Sequence, residues 1–191
     1  MPELTLPQHY GEPLTSLVVL DEAGTLDTGI PQEMVRARLE ELTPEALCSG
    51  QELVDEDSAQ CCISAIWLLH NFLDESHVIS QEITTSSGSF WHGILHRREG
   101  DYSNAKYWFR RVVDHPVYEL LATTSQQLQD EHQWPGSLPL GGTQWDPYKF
   151  VEMCEDVVVN GRGNRVLCEA LARLEWQLLF DNCYRMAIGS G

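Results

Sequence analysis

Residues 90–116 read FWHGILHRREGDYSNAKYWFRRVVDHP, and this stretch decides the fold class that we predict for the chain. Gly100 and Asp101 separate two segments whose apolar residues recur at helical spacing, and Pro116 ends the second segment. Glycine ends helices because it adopts the left-handed backbone conformation at little steric cost, and proline cannot continue a helix. The stretch therefore predicts two helices joined by a tight turn.

Helical periodicity extends to both sides of this stretch. Residues 57–75 predict one long helix, residues 117–132 another, and residues 164–186 a last one. Asp146 followed by Pro147 has the composition of a helix start. Because no strand-like alternation follows residue 31, we predict an all-α fold.

The rest of the chain divides as follows. We predict a single-domain helical bundle of about six to eight helices over residues 32–191, preceded by an extended N-terminal arm over residues 1–31. Within that arm, Ser16 to Leu20 predicts either a short strand or an extended segment. Residues 84–89 have the composition of a small-polar connector, and residues 133–145 that of a long loop, which is often functional.

The bulk composition excludes some partners. In its 191 residues the chain has 12 Lys and Arg against 29 Asp and Glu, a net charge of −17. Such a charge argues against a nucleic-acid backbone or an anionic membrane as the main partner. The six cysteines are scattered, the N-terminus has no secretory pattern, and no apolar run could span a membrane. We therefore expect a cytoplasmic protein; the oligomeric state stays open.

A local basic block contrasts with this acidic background. Five basic residues lie within positions 97–111, which contain only two acids. Arginines beside aromatic rings are typical of carboxylate, phosphate or peptide recognition. Our leading hypothesis is a binding module, without a cofactor, for a small anionic ligand or an acidic peptide or protein, with the loop at 133–145 closing over the site. The predicted ligand-binding residues are Trp91, His92, His96, Arg97, Arg98, Asn104, Lys106, Trp108, Arg110 and Arg111.

Two structural explanations compete with this hypothesis. The arginines could be internal counter-charges for carboxylates on neighbouring helices. Cations at the end of a helix also complement its dipole. The residues themselves leave these alternatives open.

The histidines suggest a second function. His92, His96 and Glu99 are spaced so that one helical face could present all three. Two imidazoles and a carboxylate are a plausible set of ligands for a divalent metal such as zinc, with His70 and His115 as further donors. The alternative function is thus a metal-dependent or histidine-based, hydrolase-like enzyme. Hydrogen-bonded histidines packed in the core are the structural explanation of the same residues.

Two resemblances rest on these residues. The sequence Gly-Asp-Tyr-Ser-Asn-Ala at 100–105, with Gly93 and Phe109, resembles the centre of a tetratricopeptide repeat, which implies a helical hairpin. Only one copy is present, so the resemblance does not imply a superhelical array. The longer string 91–112, with residues 145–147 and 175–181, is similar to a family of uncharacterised bacterial and fungal proteins. That similarity covers most of the chain after about residue 55 and implies no activity.

Overall fold

A computed structural model describes residues 10–133 and 135–190, and nearly all the regular secondary structure in this part of the chain is helical. The α-helices are α1 (Leu14–Leu17), α2 (Arg36–Glu40), α3 (Pro44–Leu47), α4 (Glu56–Leu69), α5 (Leu73–Ser80), α6 (Ser86–Glu99), α7 (Tyr102–Val112), α8 (Val117–His132), α9 (Pro147–Val158) and α10 (Arg165–Ala187). Short 3₁₀ turns occupy Leu20–Gly24 and Glu33–Val35. The strands β1 (Leu140–Gly141) and β2 (Gln144–Trp145) pair antiparallel, with Leu140 opposite Trp145. The all-α class is confirmed.

Helix α10 occupies the centre of the bundle. It packs against α4, α8, α9 and the turn Leu20–Gly24. Between Leu174 and Phe180 its buried side chains lie on all sides, which is the pattern of a helix enclosed by other elements rather than of a surface helix. The buried side chains of the whole helix include Leu167, Leu171, Leu174, Trp176, Leu178, Leu179, Phe180 and Cys183. Elements from the N-terminal, central and C-terminal parts of the chain therefore meet at α10.

The predicted hairpin is formed by α6 and α7. Gly100, with φ of 81°, ends α6, and the Asp101 carboxylate accepts from the backbone N–H of Asn104 at 3.0 Å to begin α7. The two helices run antiparallel, because Ser86 at the start of α6 donates to the carbonyl of Val112 at the end of α7. A Cβ at Gly93 would lie 3.0 Å from the Phe109 ring, so glycine permits this close approach.

The N-terminal arm differs from the prediction where the structure describes it. Residues 1–9 lie outside the described part, whereas residues 10–31 contain α1 and a 3₁₀ turn. Within Ser16 to Leu20, α1 ends at Leu17, Val18 and Val19 have extended backbone, and Leu20 begins the 3₁₀ turn, so the predicted segment is extended only at its centre. Tyr10, Leu14 and Leu17 are all buried, because they complete the core beside α10. This segment is part of the bundle.

Two boundaries around α5 also differ from the sequence prediction. The helix expected over 57–75 is divided into α4 and α5 at Asn71, whose φ of 65° breaks the helical backbone. The expected connector at 84–89 instead contains the start of α6, where the Thr85 hydroxyl accepts from the backbone N–H of Gly88 at 3.2 Å. The described part of the chain has ten α-helices, where six to eight were predicted. The break at Asn71 divides one predicted helix into two, and the N-terminal segment adds α1.

The C-terminal half follows its predicted boundaries. Asp146 caps α9 by accepting from the backbone N–H groups of Tyr148 and Lys149, and Asn164 caps α10. The long loop before α9 contains the β1–β2 hairpin, which packs against α8. No helix in the described part of the chain combines the length and the apolar character needed to cross a membrane.

Candidate metal centre

Three imidazoles converge between α5 and α6. His92 and His96 are one turn apart on α6, and the packing of α5 against α6 brings His77 to them. One ring nitrogen from each residue can be chosen so that all three lie within 4.8 Å of one another. The ring centroids are 4.7 Å apart for His77 and His92, 4.7 Å for His92 and His96, and 5.3 Å for His77 and His96.

Hydrogen bonds orient His96 from both sides. Its Nδ1 is 2.8 Å from Oε2 of Glu99, and its Nε2 is 3.0 Å from Nδ2 of Asn104. Because a carboxylate only accepts and an amide nitrogen only donates, the proton belongs on Nδ1 and the lone pair on Nε2. Glu99 therefore fixes the tautomer in which Nε2 can act as a ligand.

His92 is held in a comparable way. Its Nδ1 lies 3.1 Å from the hydroxyl oxygen of Ser80, which itself donates to the carbonyl of His77 at 3.4 Å. The hydroxyl then accepts from Nδ1–H, and the lone pair of His92 is on Nε2. In the described part of the chain, no hydrogen bond reaches Nε2 of His92 or either ring nitrogen of His77.

The environment keeps His92 neutral. Burial, followed by the neighbouring His96 and His77, lowers the pKa of His92 to about 3. Neutral imidazole is the form that binds a metal. His92 and His96 are buried, while His77 is half-buried and forms the solvent side of the cluster.

The histidine set differs from the one predicted. Glu99 was expected to be a ligand beside His92 and His96, but its carboxylate instead bonds to Nδ1 of His96. The third imidazole belongs to His77, which the sequence reasoning missed. The break between α4 and α5 places His77 beside α6. In the sequence, the only signal for that break is Asn71 followed by Phe72 after a long apolar segment.

The two further donors considered from the sequence lie elsewhere. His70 lies between two partners: its Nε2 is 2.8 Å from the carbonyl of Leu17, which accepts the single N–H of the neutral ring, and its Nδ1 is 2.9 Å from the side-chain amide of Gln32. His115 also uses both nitrogens, on the Ser87 hydroxyl at 3.1 Å and the backbone N–H of Val117 at 3.3 Å. These two are hydrogen-bonded core histidines, the structural explanation considered above.

Trp108 covers the histidine cluster. Its ring lies 3.9 Å from that of His92 between centroids, at an interplanar angle of 30°. The guanidinium of Arg111 lies 5.0 Å from the centre of the Trp108 ring. Trp108 and Arg111, two of the predicted binding residues, thus form a stack on top of His92.

Three of the predicted binding residues face the interior. Arg97 donates to the carboxylate of Glu175 with both side chains buried, and its guanidinium lies 4.4 Å from the centre of the Phe150 ring. Trp91 is fully buried and packs edge-on against Trp176.

Arg98 is the third of these residues. It donates to the backbone carbonyls of Asp27 and Leu68 and to the amide oxygen of Asn71. These contacts correct the expectation that Trp91, Arg97 and Arg98 form a ligand-binding face, because α6 is enclosed by the elements around its C-terminal end.

The remaining basic residues lie on α7. Lys106 pairs with Glu152 at 3.0 Å, while Arg110 is exposed and has no carboxylate within ion-pair distance among the described residues. Arg110 lines a cleft of about 980 Å³ between α7, α8 and the β1–β2 hairpin. Residues 141 and 143–145 of the predicted loop also line it, and the three clustered histidines do not.

The chain was compared with protein families, curated proteins and solved structures. The two resemblances drawn from the residues stay predictions. No family model, no curated protein and no solved structure matches the chain.

Proposed function

We propose that this protein binds a divalent transition-metal ion, with zinc as the best-fitting choice, through His77, His92 and His96. The observation that carries the proposal is the convergence of three imidazole nitrogens within 4.8 Å. Nε2 of His92 and Nε2 of His96 are the ligand atoms, because their Nδ1 atoms bond to Ser80 and Glu99. Imidazole nitrogen is a preferred ligand of zinc.

The contrast with the core histidines supports this proposal. His70 and His115 have a hydrogen-bond partner on each nitrogen, as expected of histidines that only pack. Among the described residues, Nε2 of His92 and both nitrogens of His77 have no such partner, whereas His96 is bonded on both sides, to Glu99 and Asn104. A cation at the cluster would compensate the lone pairs, and the carboxylate on His96 is the second contact that histidine ligands usually have.

The ligand count also limits the chemistry. Three nitrogen ligands leave one tetrahedral position for water or substrate, and zinc in such a site lowers the pKa of bound water to about 7. If the protein is an enzyme, the reaction that such a site favours is hydrolysis. In that case His77, His92 and His96 hold the ion, and Glu99 sets the orientation of His96.

Zinc binding to the purified full-length protein tests the proposal. We expect equilibrium dialysis followed by metal analysis to give one zinc ion per chain for the wild type. His77→Ala should lose it, because removing His77 leaves two ligands, whereas His132→Ala, an exposed histidine at the end of α8, should retain it. Wild-type protein without bound zinc, or equal binding by His77→Ala, would refute the proposal.

A second candidate function rests on Arg110. Its guanidinium has no carboxylate within ion-pair distance among the described residues and lines the 980 Å³ cleft beside residues of the 133–145 loop, which favours binding of a ligand with an anionic group. Asp114 and Glu119 share that cleft, so a ligand that also carries a cationic or neutral part fits better than a dianion. An NMR titration with capped glutamate should perturb cleft resonances in the wild type and not in Arg110→Gln; equal shifts in both would refute it.

The cellular location is a separate part of the proposal. All six cysteines are free and buried. Free thiols favour a reducing compartment, and we propose the cytoplasm. Cell fractionation that placed the protein in an oxidising compartment would contradict this.

A further inference from the structure

The two nitrogens of His96 are bonded to different kinds of partner. Nδ1 donates to the carboxylate of Glu99, and Nε2 accepts from the amide of Asn104 at 3.0 Å. The only nitrogen of His96 that a metal can use is therefore the one to which Asn104 donates. An N–H group and a metal ion cannot share one lone pair.

We propose that Asn104 is a gate residue of the metal site, which occupies the Nε2 lone pair of His96 until an ion displaces it. This inference rests on the proposed metal binding, and it adds that the Asn104 amide competes with the ion for Nε2 of His96. Glu99 and Ser80 bond to the nitrogens that face away from the ion and support coordination. Asn104 bonds to the nitrogen that faces the ion and opposes coordination.

The position of Asn104 gives its side chain another partner when it leaves His96. Asn104 lies in the first turn of α7, where its backbone N–H donates to the capping carboxylate of Asp101 and its side-chain amide also interacts with that carboxylate. The residue is half-buried at the edge of the cluster, so the displaced amide can reach solvent. Its hydrogen bond to His96 joins α7 to α6, and ion binding would break that link.

The gate predicts the direction in which zinc affinity changes when the residue is removed, and this direction is opposite to that for a residue that supports coordination. Removing the Asn104 amide leaves the Nε2 lone pair free, so Asn104→Ala should bind zinc more tightly, by about two- to tenfold for one lost hydrogen bond. Ser80→Ala is the matched control, because it removes a hydrogen bond to the other kind of nitrogen, Nδ1 of His92. Ser80→Ala should bind zinc more weakly.

Asn104→Asp gives a second, independent variant. Its carboxylate cannot donate to Nε2, and its negative charge favours a cation at the cluster. Asn104→Asp should therefore bind zinc more tightly than the wild type, and the capping bond between Asp101 and the backbone N–H of residue 104 is retained. If Asn104→Ala folds poorly, Asn104→Asp still tests whether Asn104 opposes zinc binding.

Isothermal titration calorimetry with zinc on the full chain, with circular dichroism to check folding, is the experiment. Tighter binding by Asn104→Ala and Asn104→Asp together with weaker binding by Ser80→Ala is the expected result. If the wild type binds zinc through His77 but both Asn104 variants bind equally or more weakly, the gate is wrong and the metal site stands. If neither the wild type nor the Asn104 variants bind zinc, the metal site itself is wrong.

Discussion

The indole ring of Trp108 stacks on the imidazole of His92, with the ring centroids 3.9 Å apart. This contact joins a buried histidine of the proposed metal site to a half-buried aromatic residue on α7. The rings of His77 and His96 approach the other sides of His92. Trp108 is thus in direct contact with the cluster that we propose to bind zinc.

That contact predicts a fluorescence signal. The chain has six tryptophans, and an ion bound by His92 would change the environment of Trp108 directly. Adding Cu²⁺, which quenches nearby indoles, should reduce the emission of the wild type in a saturable manner at one equivalent. In Trp108→Phe the saturable component should disappear. Equal quenching of both proteins would place the ion elsewhere.

Glu99 should affect the metal affinity by orienting His96. Glu99→Ala leaves Nδ1–H of His96 without its acceptor, and loss of such a contact typically costs about 10- to 100-fold in affinity. Glu99→Gln retains an amide oxygen that can accept the same hydrogen bond, so its loss should be smaller. Competition of zinc with a chromophoric chelator measures both. Equal affinity for Glu99→Ala and the wild type would contradict the assigned tautomer.

The buried pair of Arg97 and Glu175 should be a structural contact. Arg97→Met leaves the carboxylate of Glu175 buried without its partner, which should lower the free energy of unfolding by about 3–5 kcal/mol. The double variant Arg97→Met, Glu175→Leu should recover much of that loss. Lys106→Met, which breaks the more exposed pair with Glu152, should cost at most about 1 kcal/mol. Urea unfolding measures all three, and a small effect of Arg97→Met would contradict this assignment.

His115 should make the protein less stable in acid. Burial lowers its pKa from 6.5 to about 4, so the unfolded chain binds this proton at a higher pH than the folded chain does. Its contribution is therefore fully present above pH 6.5 and is lost as the pH falls toward 4, with a size on the order of 3 kcal/mol.

The matched variant for this pH dependence is His115→Asn. Asparagine retains an acceptor for the backbone N–H of Val117 but does not titrate. Melting temperatures between pH 7 and pH 4 should fall less steeply for the variant than for the wild type. Parallel curves would show that His115 does not contribute to the acid lability.

Local sequence signals predicted the central hairpin well, and the reason is physical. Gly100 with its positive φ, the Asp101 cap and the small Gly93 opposite Phe109 act within a few residues of one another or across one turn. Their effects depend little on the rest of the chain. The same holds for Asp146, which caps α9.

The burial of the arginine side chains on α6 could not be predicted in the same way. Arg97 and Arg98 lie at the C-terminal end of α6, and solvent exposure is the usual expectation for arginine. Their burial depends on Glu175, far along the chain, and on the carbonyls of Asp27 and Leu68. His77 was missed for a similar reason, since the break at Asn71 decides where α5 lies.

X-ray absorption at the zinc edge of the zinc-loaded protein tests the central claim most directly, because it counts and identifies the ligand atoms. The account predicts three imidazole nitrogens at about 2.0–2.1 Å, the usual zinc–histidine distance. His77→Ala, loaded under the same conditions, should show one imidazole fewer or no tightly bound zinc. A wild-type spectrum with oxygen ligands and no imidazole contribution would contradict the account.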